Sequence, residues 1–366
     1  VTLFRTAAIL GAALIAGTLS AAAQTKRVVN VYNWSDYIAP DVLKEFTRDT
    51  GIEVTYDTFD SNDTLETKLL AGKSGYDVVV PSANFMQQQI KAGVFQKLDK
   101  SKLANLGNAW PEINKRLETY DPGNEYAVNY MWGTVGIGYN VKKAEQILGS
   151  GAKIDSWDFV FKLESISKFK SCGIHMLDSA DDILPAALKY LGLDPNSSKQ
   201  EDLEKAAALM SKIRPNVRKF HSSEYLNALA SGEICVVVGF SGDIKQAQNR
   251  AAEAKRGVEV GYAIPKEGAQ LWFDNLAIPK DARHVAEAHA FIDYMLKPEV
   301  AAKNSNAIGY PNGNLASQKF LDKAVLEDTS IYPPQAVMDN LYTNQAHDAK
   351  TKRVMNRLWT KIKTGK

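Results

Sequence analysis

Asn33-Trp34-Ser35-Asp36-Tyr37 crowds two aromatic rings, a hydroxyl and a carboxylate into one short stretch. Aromatic faces attract a desolvated cation by about 0.5–2 kcal/mol each, and a buried cation needs a carboxylate to replace the water it loses. The pairing of ring and acid recurs along the chain. Phe240 precedes Asp243, Trp272 stands two before Asp274, Asp182 follows an apolar run, and Tyr310 lies in the loop Gly309-Tyr310-Pro311-Asn312-Gly313. Singly, each also fits core packing or helix capping. Together they suit a linear molecule with an ammonium group at each end, its methylenes against the rings and its tips against the acids.

Enzyme patterns are mostly missing. Gly72-Lys73-Ser74 resembles the end of a phosphate-binding loop, but Thr67 stands where the leading glycine is required. His284 and His289 lack an H-E-x-x-H frame, and Gly239-Phe240-Ser241-Gly242 is not a nucleophile elbow with an assignable base. His175 reads as a core or surface histidine of a strand, and His221 as part of a helix start. No reaction, cofactor or metal is expected, and nothing requires the carboxylates to have unusual pKa values. A secreted enzyme using the acids as an acid/base pair is the alternative.

The elements that would position these residues are strands followed by helices. Strand Val28–Trp34 leads to a helix over 40–50, strand 52–59 to a helix over 64–71, and strand 76–80 to a helix over 85–92, so Asp36 and Ser82 fall at strand-to-helix turns. Residues 100–132 read as irregular. The glycine-rich run 133–139 reads as a strand crossing into a second lobe, where strand 173–177 precedes Asp182 and strand 234–238 precedes Asp243. A return crossing is expected over 258–264 and a further strand over 271–278. Helices are expected over 282–296 and near 317–326, 334–342 and 349–362. The fold class is α/β, with two lobes of mostly parallel sheet flanked by helices, two crossing strands and a cleft between. Lobe 1 comprises 24–134 and 262–333; lobe 2 comprises 135–261 and 334–366.

Length and composition agree with this plan. A chain of 366 residues is long for one core, and 45% apolar with 23% charged residues is globular. A formal charge of +2 gives no general pull toward nucleic acid. The basic C-terminal run alternates with Val354, Met355, Leu358, Trp359 and Ile362, as a docked amphipathic helix would. Residues 1–23 have Arg5, an apolar run and Ala21-Ala22-Ala23 before Gln24, the pattern of a cleaved secretory leader. Its removal would leave a net charge of +1 and an exported protein. Cys172 and Cys235 show no metal spacing, and an oxidising compartment favours a disulfide over two buried thiols.

The chain resembles the periplasmic putrescine/spermidine-binding proteins, soluble receptors of ABC-type polyamine importers. The resemblance covers essentially the whole mature sequence. It rests on Asn33-Trp34-Ser35-Asp36-Tyr37-Ile38, Val80-Pro81-Ser82, the run from Tyr130 to Asn140, Arg214-Pro215-Asn216-Val217-Arg218, Phe220-His221-Ser222-Ser223, the run from Ile264 to Ala269, Ile331-Tyr332-Pro333-Pro334 and Trp359-Thr360-Lys361. It implies a type II periplasmic binding fold, an aromatic box of Trp34, Tyr37, Phe240, Trp272 and Tyr310, carboxylates from Asp36, Asp243 and Asp274, and hydroxyls from Ser35, Ser82 and Ser222. Asp182 stands where relatives have a ligand-contacting Glu, one methylene longer. Phe240 replaces a Trp of some members, and Trp272 a Phe common in putrescine binders; the bulkier Trp272 resembles spermidine-preferring members, so the expectation leans to spermidine. The resemblance also implies a Cys172–Cys235 bridge within the second lobe, a membrane permease as partner and a monomeric receptor. A sensor signalling to a membrane partner would use the same closure.

Overall fold

The computed structural model describes residues 26–365; the leader read over 1–23 lies outside them. The strands are β1 Val28–Trp34, β2 Glu53–Phe59, β3 Val78–Val79, β4 Ala127–Asn140, β5 Ile174–Met176, β6 Lys219–Phe220, β7 Val236–Phe240, β8 Val260–Ala263 and β9 Leu271–Ala277. Their order is β2-β1-β3-β9-β4-β7-β5-β6, with β8 paired to β4. Strands joined through helices pair in parallel, β1 with β2 and β3, and β5 with β6 and β7. Around β4 the pairing is antiparallel.

β4 is common to both lobes. Its residues 127–134 pair with β9, and 135–140 pair with β7 and β8. All of it is buried except half-buried Tyr139. Gly133 sits near the changeover because a Cβ there would stand 2.5 Å from the Trp272 ring. The rim of the cleft is therefore built on a glycine that lets an indole lie against the backbone.

Residues 100–132 are more regular than expected. Pro111 occupies the first turn of a helix, Pro111–Leu117, where its missing N–H has no partner to lose. The segment 127–132 is the first half of β4; it is buried throughout and so shows no alternation of polar and apolar side chains. Pro298 likewise opens a helix, Pro298–Ile308, that had not been expected beyond the preceding one. The C-terminal helix Ala349–Thr364 is capped by the Asp348 carboxylate, which accepts from the Thr351 N–H at 2.7 Å, and it buries Met355, Trp359 and Ile362. It packs on helices Ala180–Tyr190 and Gln200–Ile213. Cys172 and Cys235, 5.7 Å apart at Cα, are disulfide-bonded and tie the approaches to β5 and β7 together.

Candidate ligand-binding cleft

A cleft opens where β1, β3 and β9 of one lobe face β5 and β7 of the other. It contains about 920 Å³ of atom-free space, its open mouth included. All twelve residues singled out in the sequence line it: Trp34, Ser35, Asp36, Tyr37, Ser82, Asp182, Ser222, Phe240, Asp243, Trp272, Asp274 and Tyr310. Eight aspartates share the wall with seven aromatic rings, and no Lys, Arg or His among the described residues lines it.

Most of the lining comes from strand ends and the turns after them, while Trp272 and Asp274 lie within β9 and Tyr310 follows helix Pro298–Ile308. After β1 the chain turns with Asp36 at φ 53°, a left-handed conformation that Asp tolerates better than most side chains. The following helix begins only at Val42, with Asp41 at its cap position, so Asp36 does not cap it. Its carboxylate instead meets Arg250 of the opposite lobe at 2.9 Å, while its carbonyl accepts from Gln246 at 3.2 Å. Trp34 donates its indole N–H to the Val80 carbonyl at 2.9 Å and lies against Phe59, 4.6 Å between ring centres. The Ser35 N–H is tied to the Phe59 carbonyl at 3.0 Å.

Asp274 on β9 is held deep in the first lobe. Ser82 donates to it at 2.6 Å and Tyr37 at 3.0 Å. Ser82 is itself fixed by the Asn62 amide, at 3.0 Å to its hydroxyl and 3.1 Å to its N–H. Asp243 is the matching acid of the second lobe. It accepts from the Tyr225 hydroxyl at 2.7 Å and from the Tyr310 hydroxyl at 2.6 Å. Ser222 accepts from the Asp178 N–H at 3.2 Å, which orders the turn after β5. Between the acids stand Phe240, Trp272 and Tyr310 in edge-to-face contact, with centroids 5.8 Å apart for Phe240 and Trp272 and 5.3 Å for Trp272 and Tyr310. The indole N–H of Trp272 has no hydrogen-bond partner among the described residues.

Three of the cleft carboxylates are held above the usual range although no reaction requires it. Burial pushes Asp274 up to about 7 against the pull of the Ser82 and Tyr37 hydroxyls. Burial likewise raises Asp243 to about 6, opposed by Tyr310 and Tyr225, and Asp182 to about 6, opposed by Ser179 and Gln270. Their bonded partners are mostly neutral hydroxyls, which stabilise a charge less than a cation would. Burial also holds Tyr37, Tyr225 and Tyr310 far above the usual phenol range, so they stay protonated donors. Asp182, Asp243 and Asp274 are thus acids whose ionisation is costly until a positive charge arrives.

Several contributors escaped the sequence reading. Tyr225 opens helix Tyr225–Ser231, Phe59 ends β2 just before Asp60, and Gln270 precedes β9 in a loop. Asn62 and Asp63 open helix Asn62–Leu70, two residues before the expected start at 64, so their place on the second strand-to-helix turn was the available signal.

A two-lobed sheet crossed by one shared strand, with the polar groups converging between the lobes, defines a cleft-closing binding protein. The chain belongs to the bacterial extracellular solute-binding proteins, whose family pattern matches residues 41–333. It is 54% identical to the putrescine-binding periplasmic protein SpuD of Pseudomonas aeruginosa, over 96% of each chain. It is 48% identical to the putrescine-binding periplasmic protein PotF of Escherichia coli, over 98% of this chain and 97% of that one. Among solved structures, a putative spermidine/putrescine ABC transporter protein from Listeria monocytogenes superposes with a TM-score of 0.83 at 32% identity, covering 93% of this chain and all of the other.

Proposed function

We propose that this protein is the periplasmic receptor of an ABC-type polyamine importer, binding a linear polyamine between its lobes and presenting it to a membrane permease. The observation that carries this reading is the cleft wall itself, eight aspartates interleaved with aromatic rings and no lining cation. Arg250, Lys352 and Lys363 pair with Asp36, Asp181 and Asp178 from outside the lining, but an anionic solute would still face the remaining aspartates, and an amino acid would lack a lining arginine to clamp its carboxylate. The relatives' names support the same ligand class.

In this reading Asp274 and Asp182 receive one end of the ligand and Asp243 and Asp36 the other, with Trp34, Tyr37, Phe240, Trp272 and Tyr310 along the methylenes. Ser35, Ser82 and Ser222 order the surrounding turns. The bodies that close are 24–134 with 262–333 and 135–261 with 334–366, the chain passing between them at 134–135, 261–262 and 333–334. Ligand contacts made by both bodies favour the closed state by their differential affinity. The receptor acts as a monomer, catalyses no reaction, and reaches the periplasm through the leader read over 1–23. The bulk of Trp272 favours spermidine, whereas the names of the relatives at 54% and 48% identity favour putrescine.

A thermal-shift screen of putrescine, cadaverine, spermidine, spermine and agmatine tests the class. A ligand at a hundred times its Kd stabilises by about 2.7 kcal/mol. Stabilisation by amines and not by glutamate or γ-aminobutyrate supports the reading; stabilisation by the acids alone overturns it.

A further inference from the structure

Past Asp182 the cleft runs on into a corner that the assignment above leaves unused, lined by Asp63, Asp181 and Phe85. Lys352, on the C-terminal helix, reaches over this corner. Its Nζ lies 3.4 Å from an Asp181 carboxylate oxygen and 3.9 Å from the centre of the Phe85 ring. One carboxylate and one aromatic face are what the rest of the cleft offers an ammonium group. Phe85 belongs to helix Ala83–Lys91 of the first lobe, and Asp181 and Lys352 to elements of the second, so this contact spans the cleft. A separate feature points to a missing donor at Asp182, the neighbour of Asp181 in the chain. Gln270 lines the cleft, is 3% exposed, and its buried Oε1 accepts no hydrogen bond from the described residues. It neighbours Asp182, so an ammonium placed there would bring three N–H donors to an unpaired carbonyl and a carboxylate.

We propose that this corner is a further ammonium subsite, filled by the protein's own Lys352, and that Lys352 thereby limits the length of polyamine accepted. The inference rests on the polyamine-receptor reading. A diamine spans the inner acids and leaves Lys352 in place. A triamine or tetraamine extending past Asp182 must displace Lys352 from Asp181 and Phe85, exchanging one cation for another, and the gain from its extra charge is largely cancelled. Removing the Lys352 charge frees the subsite for the ligand.

Titration of the full chain and its K352M and K352R variants with putrescine, spermidine and spermine tests this, each variant first shown to melt cooperatively. K352Q, also uncharged, replaces K352M should the latter fail to fold. The expected result is a rise of about tenfold in the ratio of spermidine to putrescine affinity in K352M, while K352R, which keeps a cation over Phe85, holds the wild-type ratio. A ratio within about twofold of wild type in the uncharged variant, with putrescine still bound, overturns the subsite and leaves the receptor reading standing. Failure of the wild-type chain to bind any of the three amines overturns the receptor reading, and this inference with it.

Discussion

The Tyr310 hydroxyl donates to the Asp243 carboxylate at 2.6 Å and accepts from the Asp243 backbone N–H at 3.0 Å, bridging two segments 67 positions apart. Tyr225 holds the other carboxylate oxygen at 2.7 Å. Asp243 is thereby aimed by two phenols, neither of which neutralises it. Replacing Asp243 or Asp274 by Ala should weaken polyamine binding by about 2–5 kcal/mol, the range for stranding a buried charge. Calorimetry on each variant checks this, and an unchanged Kd would remove that residue from the site.

The acids of the cleft make affinity depend on pH. Asp182 and Asp243, at about 6, and Asp274, at about 7, are partly protonated near neutrality, and a bound ammonium would lower all three. Binding should therefore release protons, and affinity should fall by more than about tenfold between pH 8 and pH 5. The sign for folding is opposite. These pKa values lie above the unfolded value of about 3.9, so the stability they contribute is full below that value and is lost as pH rises through 6 to 7. The thermal shift produced by saturating ligand should accordingly be larger at pH 8 than at pH 5. Equal shifts at the two pH values would show that these acids do not meet the ligand.

Trp272 packs between Phe240 and Tyr310 and leans on Gly133. Trp272→Phe removes one ring of bulk from the middle of the box. Preference should move severalfold toward putrescine over spermidine, read from the ratio of the two Kd values. An unchanged ratio would take Trp272 out of length selection.

Gly242 gives a structural counterpart. A Cβ at this position would overlap the Tyr310 ring. Gly242→Ala should displace that ring and loosen its grip on Asp243, costing about 1–3 kcal/mol of stability by overpacking. A lowered melting midpoint together with weaker amine binding is the expected pair of results; wild-type values of both would show that the ring moves aside freely.

Much of this was legible in the chain because strand ends announce themselves. Asp36, Ser82 and Asp243 each follow an apolar β-branched run, so a strand-to-helix turn could be assigned from local pattern alone. The hidden parts share one cause: their partners are far away in sequence. The first half of β4 is buried throughout, and Asn129 within it donates to the Met131 and Asp274 carbonyls, a fit no periodicity reveals. Pro298 resembles a stop and serves as a start, because the residues beyond it bury Val300, Ala301, Ala302 and Ile308. The elevated pKa values escaped for the same reason, since they depend on how deeply each acid is buried rather than on its neighbours in the chain.

The most direct test is calorimetric titration of putrescine and spermidine into the wild-type chain and into a variant combining Asp182→Asn, Asp243→Asn and Asp274→Asn. Saturable one-to-one binding to the wild type, absent from a variant that still melts cooperatively, is the expected result. Equal binding to both proteins, or none to the wild type, would contradict the placement of a polycation among these carboxylates.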